Sequence, residues 1–93
     1  MFNRVIHRMR NKVRRLQYVM TYHARKEMNE DGLTIYDIER VILTGEILER
    51  QRDRETGEPK YRIRGETIER SEVEVIAKIS PTGKLVIITV YVA

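Results

Sequence analysis

Three small sets of side chains in this 93-residue sequence have the chemistry for proton transfer or phosphate binding. The first is His23, inside the run Thr21-Tyr22-His23-Ala24-Arg25, with Glu27 one helical turn further on. An imidazole suits general acid–base work near neutral pH, and a carboxylate four residues along a helix can orient the ring. The plainer reading, a surface histidine beside an ordinary ion-pair partner, is the commoner outcome of such spacing. The second set is Lys60, Arg62 and Arg64, which alternate with Tyr61 and Ile63. A strand carrying three cations on one face cannot turn that face into an apolar core, because an unpaired buried charge is far too costly. The face meets water, acids or phosphate. Guanidinium groups bind phosphate in bidentate fashion, yet cross-strand pairing with Glu46, Glu49 or Glu74 is an equally good use of the same charges. The third set is Thr89 and Tyr91, two apart on an extended segment and so on one face. Beside the cations they could hydrogen-bond a phosphate or stack a base; against the helices Tyr91 is ordinary core.

The elements that must hold these groups are legible from periodicity. Val5, Ile6, Met9, Val13 and Leu16 recur at three and four, which predicts an amphipathic first helix with these five residues inward. Gln17 to Met20 is a strand stub or a connector. Thr21 predicts the cap of a second helix ending near Asp31, with Gly32 as its stop. Thr34 and Asp37 form a capping box for a third helix, whose buried stripe is Ile35, Ile38, Val41 and Ile42 and whose end is Gly45. Beyond Gly45 the period changes to two. Strands are predicted over Glu46 to Arg52, Lys60 to Thr67, Val73 to Ile79 and Leu85 to Val92, the last apolar on both faces and therefore internal to its sheet. Ser80, Pro81, Thr82 and Gly83 supply a hairpin-type turn. The expected fold class is α+β: N-terminal helices packed on a four-stranded antiparallel meander, in the order α-α-α-β-β-β-β.

Charge and composition narrow the function classes. Residues 1–16 carry six cations (Arg4, Arg8, Arg10, Lys12, Arg14 and Arg15) and no acid, a local +6 against +4 for the whole chain, so the rest stands at −2. A nucleic acid is the natural partner of such a segment, with Arg10 and Arg14 as candidate phosphate contacts. An Arg-rich, acid-free start is also how a mitochondrial presequence reads. With no cysteine there is no disulfide scaffold and no thiolate nucleophile or metal site. His7 and His23 lack a ligand spacing, and there is no glycine-rich phosphate loop. No metal, no cofactor and no membrane span is expected. The expected location is cytoplasmic, and self-association into a homodimer is open for a domain this small.

In their order and spacing, YHARKEM (22–28), GLTIYDIERVILTGEI (32–47), YRIRG (61–65), VEVIAKI (73–79) and ITVY (88–91) resemble a widespread prokaryotic family of unknown-function domains. That family is grouped with RelE-like, MqsR-like and colicin-type ribonuclease toxins, the wider barnase–EndoU–colicin–RelE set. The resemblance covers about residues 18–92 and makes 18–93 a RelE-like toxin-type unit, with the basic helix of residues 1–17 outside the pattern. It implies metal-independent cleavage of RNA by attack of a ribose 2′-hydroxyl on the adjacent phosphorus. It further implies His23 as general acid or base and Arg25 and Arg62 as phosphate neutralisers. Lys60 or Arg64 would hold the backbone, and Thr89 and Tyr91 would orient the phosphate or share in proton transfer. Members are often encoded beside YgiT-type zinc-finger antitoxins, so such an antitoxin is an implied partner beside RNA. Two other classes stand beside this expectation: a non-catalytic nucleic-acid-binding module, and an interaction subunit docking through Val5, Ile6, Met9 and Val13.

Overall fold

A computed structural model describes residues 1–93. The helices are α1 (Asn3–Arg14), α2 (Tyr22–Glu30) and α3 (Ile35–Thr44). The strands are β1 (Tyr18–Met20), β2 (Glu46–Arg52), β3 (Pro59–Glu66), β4 (Glu72–Ile79) and β5 (Leu85–Val92). The sheet has five strands in the order β1-β5-β4-β3-β2. Strands β2 to β5 form the expected antiparallel meander, and β5 is internal. The expectation of a four-stranded, wholly antiparallel sheet is corrected by β1, which pairs parallel to β5 with Tyr18 opposite Leu85 and Met20 opposite Ile87. The sheet is therefore mixed, and the element order is α-β-α-α-β-β-β-β. Three residues are too few to display an alternation, and a parallel pairing leaves no turn motif between its strands.

Helix caps explain where α2 and α3 begin. The Thr21 hydroxyl accepts from the Ala24 N–H at 3.0 Å, and Thr34 and Asp37 close a reciprocal capping box. Asp37 does more than cap: its second carboxylate oxygen accepts from the Ile68 N–H at 3.1 Å and ties the β3–β4 turn to the start of α3. Hydrogen bonds from the Thr34 and Ile68 backbone hold its carboxyl below the usual aspartate range against the opposing effect of burial. A carboxylate with a depressed folded pKa stabilises the fold at neutral pH, and that contribution fades as pH falls through and below the ordinary value of about 3.9. Asp37→Asn is expected to cost about 1–2 kcal/mol at pH 7. In denaturant titrations its deficit relative to the parent should shrink below about pH 4; a deficit constant with pH would contradict the ionised role.

One face of the sheet carries the helices and the core. Met9, Ile38, Val41 and Ile42 from the helices meet Ile63, Val73, Val75, Leu85, Ile87 and Val90 from the strands. Four residues of the predicted α1 stripe do contribute: Met9 and Val13 are buried, and Val5 and Ile6 pack on the core. Leu16 does not. It lies past the helix end at φ 56°, in the left-handed turn that lets the Gln17 N–H return to the Lys12 carbonyl, and its side chain points into solvent. No helix is long and apolar enough to cross a membrane.

Candidate functional site: a polar layer on the open sheet face

Side chains on the sheet face opposite the helices build a connected polar layer across four strands. Register places Glu49 beside Arg62, Arg64 beside Glu74, and Glu74 beside Tyr91. Strict alternation from Ile87, which is core, would also send Thr89 and Tyr91 to the core. A one-residue bulge prevents this: Ala77 pairs with Ile87 but Ile76 pairs with Thr89, so Ile88 is the extra residue. The phase of the strand flips there, Val90 becomes core, and Thr89 and Tyr91 emerge on the open face. A second irregularity at Leu48 does the same for Glu49, which shares the face of Arg62.

Glu74 is the hub. It is only 6 % exposed although it lies on the open face, since long arginine stems cover it. One oxygen accepts from the Tyr91 hydroxyl at 2.5 Å and from Arg62 Nη1 at 3.0 Å; the other lies 3.1 Å from Arg64 Nε. That last contact is an ion pair without alignment: the buried Arg64 Nε–H is not aimed at the carboxylate and has no hydrogen-bond acceptor. Arg62 also donates to Glu49 at 3.1 Å, and Arg64 approaches Glu72 at 4.0 Å. The Tyr91 hydrogen bond, helped by the guanidinium groups, outweighs burial and holds Glu74 below the usual glutamate range. The same bond and burial push the Tyr91 phenol up, so at neutral pH the pair is a carboxylate and a protonated phenol. Tyr91 is thereby a hydrogen-bond donor, not a base. From the sequence alone Glu74 is only a cross-strand partner for the cations. Its period-two place between Val73 and Val75, on the face of Ile76, is the signal for a role on this surface.

His23 reaches the border of this surface through α2. The Thr21 backbone N–H and hydroxyl donate to the Ile87 and Ile88 carbonyls, each at 3.0 Å, which lays the start of α2 along the outer edge of β5 where β1 ends. One turn later Glu27 accepts the Val90 N–H at 3.0 Å, and His23 Nε2 lies 3.3 Å from the same carboxylate oxygen. The imidazole is thus linked through Glu27 to the residue between Thr89 and Tyr91, with its side chain well exposed.

The other expected contacts divide. Lys60 sits on the open face opposite Gln51 and makes no ion pair. Arg25 is not with His23. Two residues apart on a helix are about 200° apart around its axis, and Arg25 borders a separate cleft with Tyr18 and Met28. Arg10, expected on phosphate, instead donates to the Ile42 carbonyl at 3.0 Å and the Gly45 carbonyl at 2.8 Å, capping the C-terminus of α3. Arg14 is exposed and donates only to Asn11 on its own helix. Arg4 and Arg8 lie on the α1 face opposite Met9 and Val13, Arg15 follows at the C-cap of the helix, and none of the three has an acidic partner.

No curated protein and no solved structure matches this chain at significance. One family model does match, across residues 20–92, and this span includes every motif that carried the resemblance. The chain therefore belongs to the family described as domain of unknown function DUF4258.

Proposed function

We propose that this domain is a metal-independent endoribonuclease that works on the open face of its sheet, as the toxin of a toxin–antitoxin pair. The observation that carries the reading is the meeting of Arg62, Arg64, Glu74 and Tyr91 on one solvent-facing surface, with His23 at its border. The ribose 2′-oxygen forms a bond to phosphorus while the bond to the 5′-oxygen breaks. A base accepts the 2′-hydroxyl proton, an acid protonates the departing oxygen, and the products are a 2′,3′-cyclic phosphate and a 5′-hydroxyl. Arg62 is the phosphate ligand: it exchanges the more exposed Glu49 for a phosphate oxygen while Glu74 keeps its orientation. Glu74 holds Arg62 and Tyr91 in place, Thr89 donates a hydrogen bond to the phosphate, and Tyr91 does so by turning its hydroxyl from Glu74. His23 is the general base that takes the 2′-hydroxyl proton or the general acid that protonates the departing 5′-oxygen. Lys60 and Arg64 steer the backbone, and Arg25 drops out of the site because of its place on α2.

Expression of the chain should arrest bacterial growth, and His23→Ala or Tyr91→Ala should relieve the arrest. Two folded variants as toxic as the parent would remove the proposed site.

A second reading, binding of nucleic acid without cleavage, is favoured by a different observation. The cations of the open face are largely paired, whereas Arg4 and Arg8 of α1 and Arg15 at its C-cap are not. Replacing Arg4, Arg8 and Arg15 with Gln should lower the salt dependence of RNA binding by about 2 in the log–log slope, from roughly 0.7 per lost single-strand phosphate contact. If cleavage by the triple variant matched the parent at saturating RNA, α1 would serve capture and the sheet chemistry.

A further inference from the structure

The two edges of the sheet are built very differently. The outer strand β2 bears Glu46, Glu49, Arg50 and Arg52 and a register irregularity, the usual protections against adding another strand. At the other edge β1 is Tyr-Val-Met, with no charge and no proline. Its pairing with β5 fixes which backbone groups are free. The Gln17 carbonyl accepts from Leu85 N–H at 3.1 Å, and the Thr21 N–H donates to the Ile87 carbonyl at 3.0 Å. By the alternation of a parallel ladder, the N–H and C=O groups of Tyr18 and Met20 point away from the sheet. No further strand follows β1.

Beside this bare edge lies a cleft of about 520 Å³ lined by Tyr18, Val19, Met20, Arg25, Met28 and Ile35. Five of the six are apolar, and Arg25 makes no ion pair. Tyr18 forms one wall, its hydroxyl donating to Glu39 at 2.6 Å, while Val19 is 44 % exposed. We infer that β1 and this cleft form a docking site for an extended, acidic segment of a partner protein, which adds a sixth strand outside β1. In that arrangement its backbone pairs with Tyr18 and Met20, an apolar side chain enters the cleft, and a carboxylate meets Arg25. Charge selects the occupant. The one cation at the cleft, Arg25, is without an ion-pair partner, so a second copy pairing through the same edge brings a second Arg25 to it, whereas an acidic strand brings the complement. This inference stands independently of RNA cleavage.

The test uses the full-length, isotopically labelled protein and two synthetic peptides. One alternates valine or leucine with glutamate or aspartate; the other has lysine at every acidic position. The acidic peptide should bind, shift the amide resonances of Tyr18 to Met20 and slow hydrogen exchange at Tyr18 and Met20. Arg25→Glu, an exposed substitution that leaves the core untouched, should weaken the acidic peptide about tenfold or more and improve the lysine peptide. Equal binding of both peptides, resonance shifts confined to β2 or α1, or no binding of either would overturn the inference. So would self-association of the free protein through Val19, which would make a second copy the occupant.

Discussion

Glu74→Gln is expected to lower stability by about 2 kcal/mol and, by releasing Arg62 and Tyr91 from their positions, cleavage of RNA by about a hundredfold. The stability loss comes from charge imbalance rather than from lost volume. Glutamine keeps the shape of the side chain but leaves Arg62 and Arg64 facing each other across a buried amide with no charge, where the carboxylate accepted from Arg62 and Tyr91 and formed an ion pair with Arg64. Removing one member of a buried ionic cluster usually costs more, but both arginines retain contact with water and their repulsion is screened. Thermal unfolding should fall by roughly 10 °C for a domain of this size. Tyr91→Phe separates the two effects: it removes one donor and leaves the ion pairs, so it should cost only about 1 kcal/mol. If Glu74→Gln and Tyr91→Phe lose equal stability, the ionic hub is the wrong account of this layer. Acid should mimic the Glu74 substitution. Because the folded pKa is held below its ordinary value, the stabilisation is full above about pH 5 and fades as pH falls through the carboxylate range.

Gly45→Ala should be among the most damaging single-atom changes in the chain, at about 3 kcal/mol or more, roughly 15 °C in thermal midpoint. Its backbone is extended, so conformational freedom is not what demands glycine there. Space is. A Cβ at Gly45 would collide with the carbonyl oxygens of Arg64 and Val41, and neither can rotate away because both are main chain. Gly65 faces the same contact from β3: a Cβ there would lie 2.9 Å from the Val41 carbonyl oxygen and 3.1 Å from the Gly45 Cα. The pair lets the end of α3 sit directly on β3, and Arg10 completes the joint by donating to the Gly45 carbonyl. The two positions share one gap, so Gly45→Ala and Gly65→Ala should be strongly non-additive in a double-mutant cycle. Additive losses would show that the glycines act separately.

Local chemistry made much of the fold readable. The Thr34–Asp37 box and the Thr21 cap mark their helices because capping is satisfied within four residues. The alternation of Lys60, Arg62 and Arg64 with Tyr61 and Ile63 survives intact because β3 is regular and one of its faces is core. What stayed hidden depends on partners far along the chain. Tyr18 pairs with Leu85, and nothing near Tyr18 announces that partner. The side on which Tyr91 emerges is decided by a bulge at Ile88, where the apolar run Leu85 to Ile88 has no polar residue to mark a change of phase. Arg10 looks like one cation of a basic helix until α3 brings two carbonyls to it. His23 and Arg25 are neighbours in sequence, yet the helix sends one toward β5 and the other toward the β1 cleft.

On the proposed reading the Glu74–Arg62–Tyr91 surface, with His23 beside it, cleaves RNA through the ribose 2′-hydroxyl. The most direct measurement is single-turnover cleavage of an RNA oligonucleotide in the presence of a chelator, followed by analysis of the product termini. The same oligonucleotide carrying a 2′-deoxyribose at the scissile position serves as the comparison. The all-RNA strand should give 2′,3′-cyclic phosphate and 5′-hydroxyl ends, and no scission should occur at the deoxy position. Equal cutting at the deoxy position, 5′-phosphate ends, or intact RNA with stoichiometric folded protein would contradict that reading.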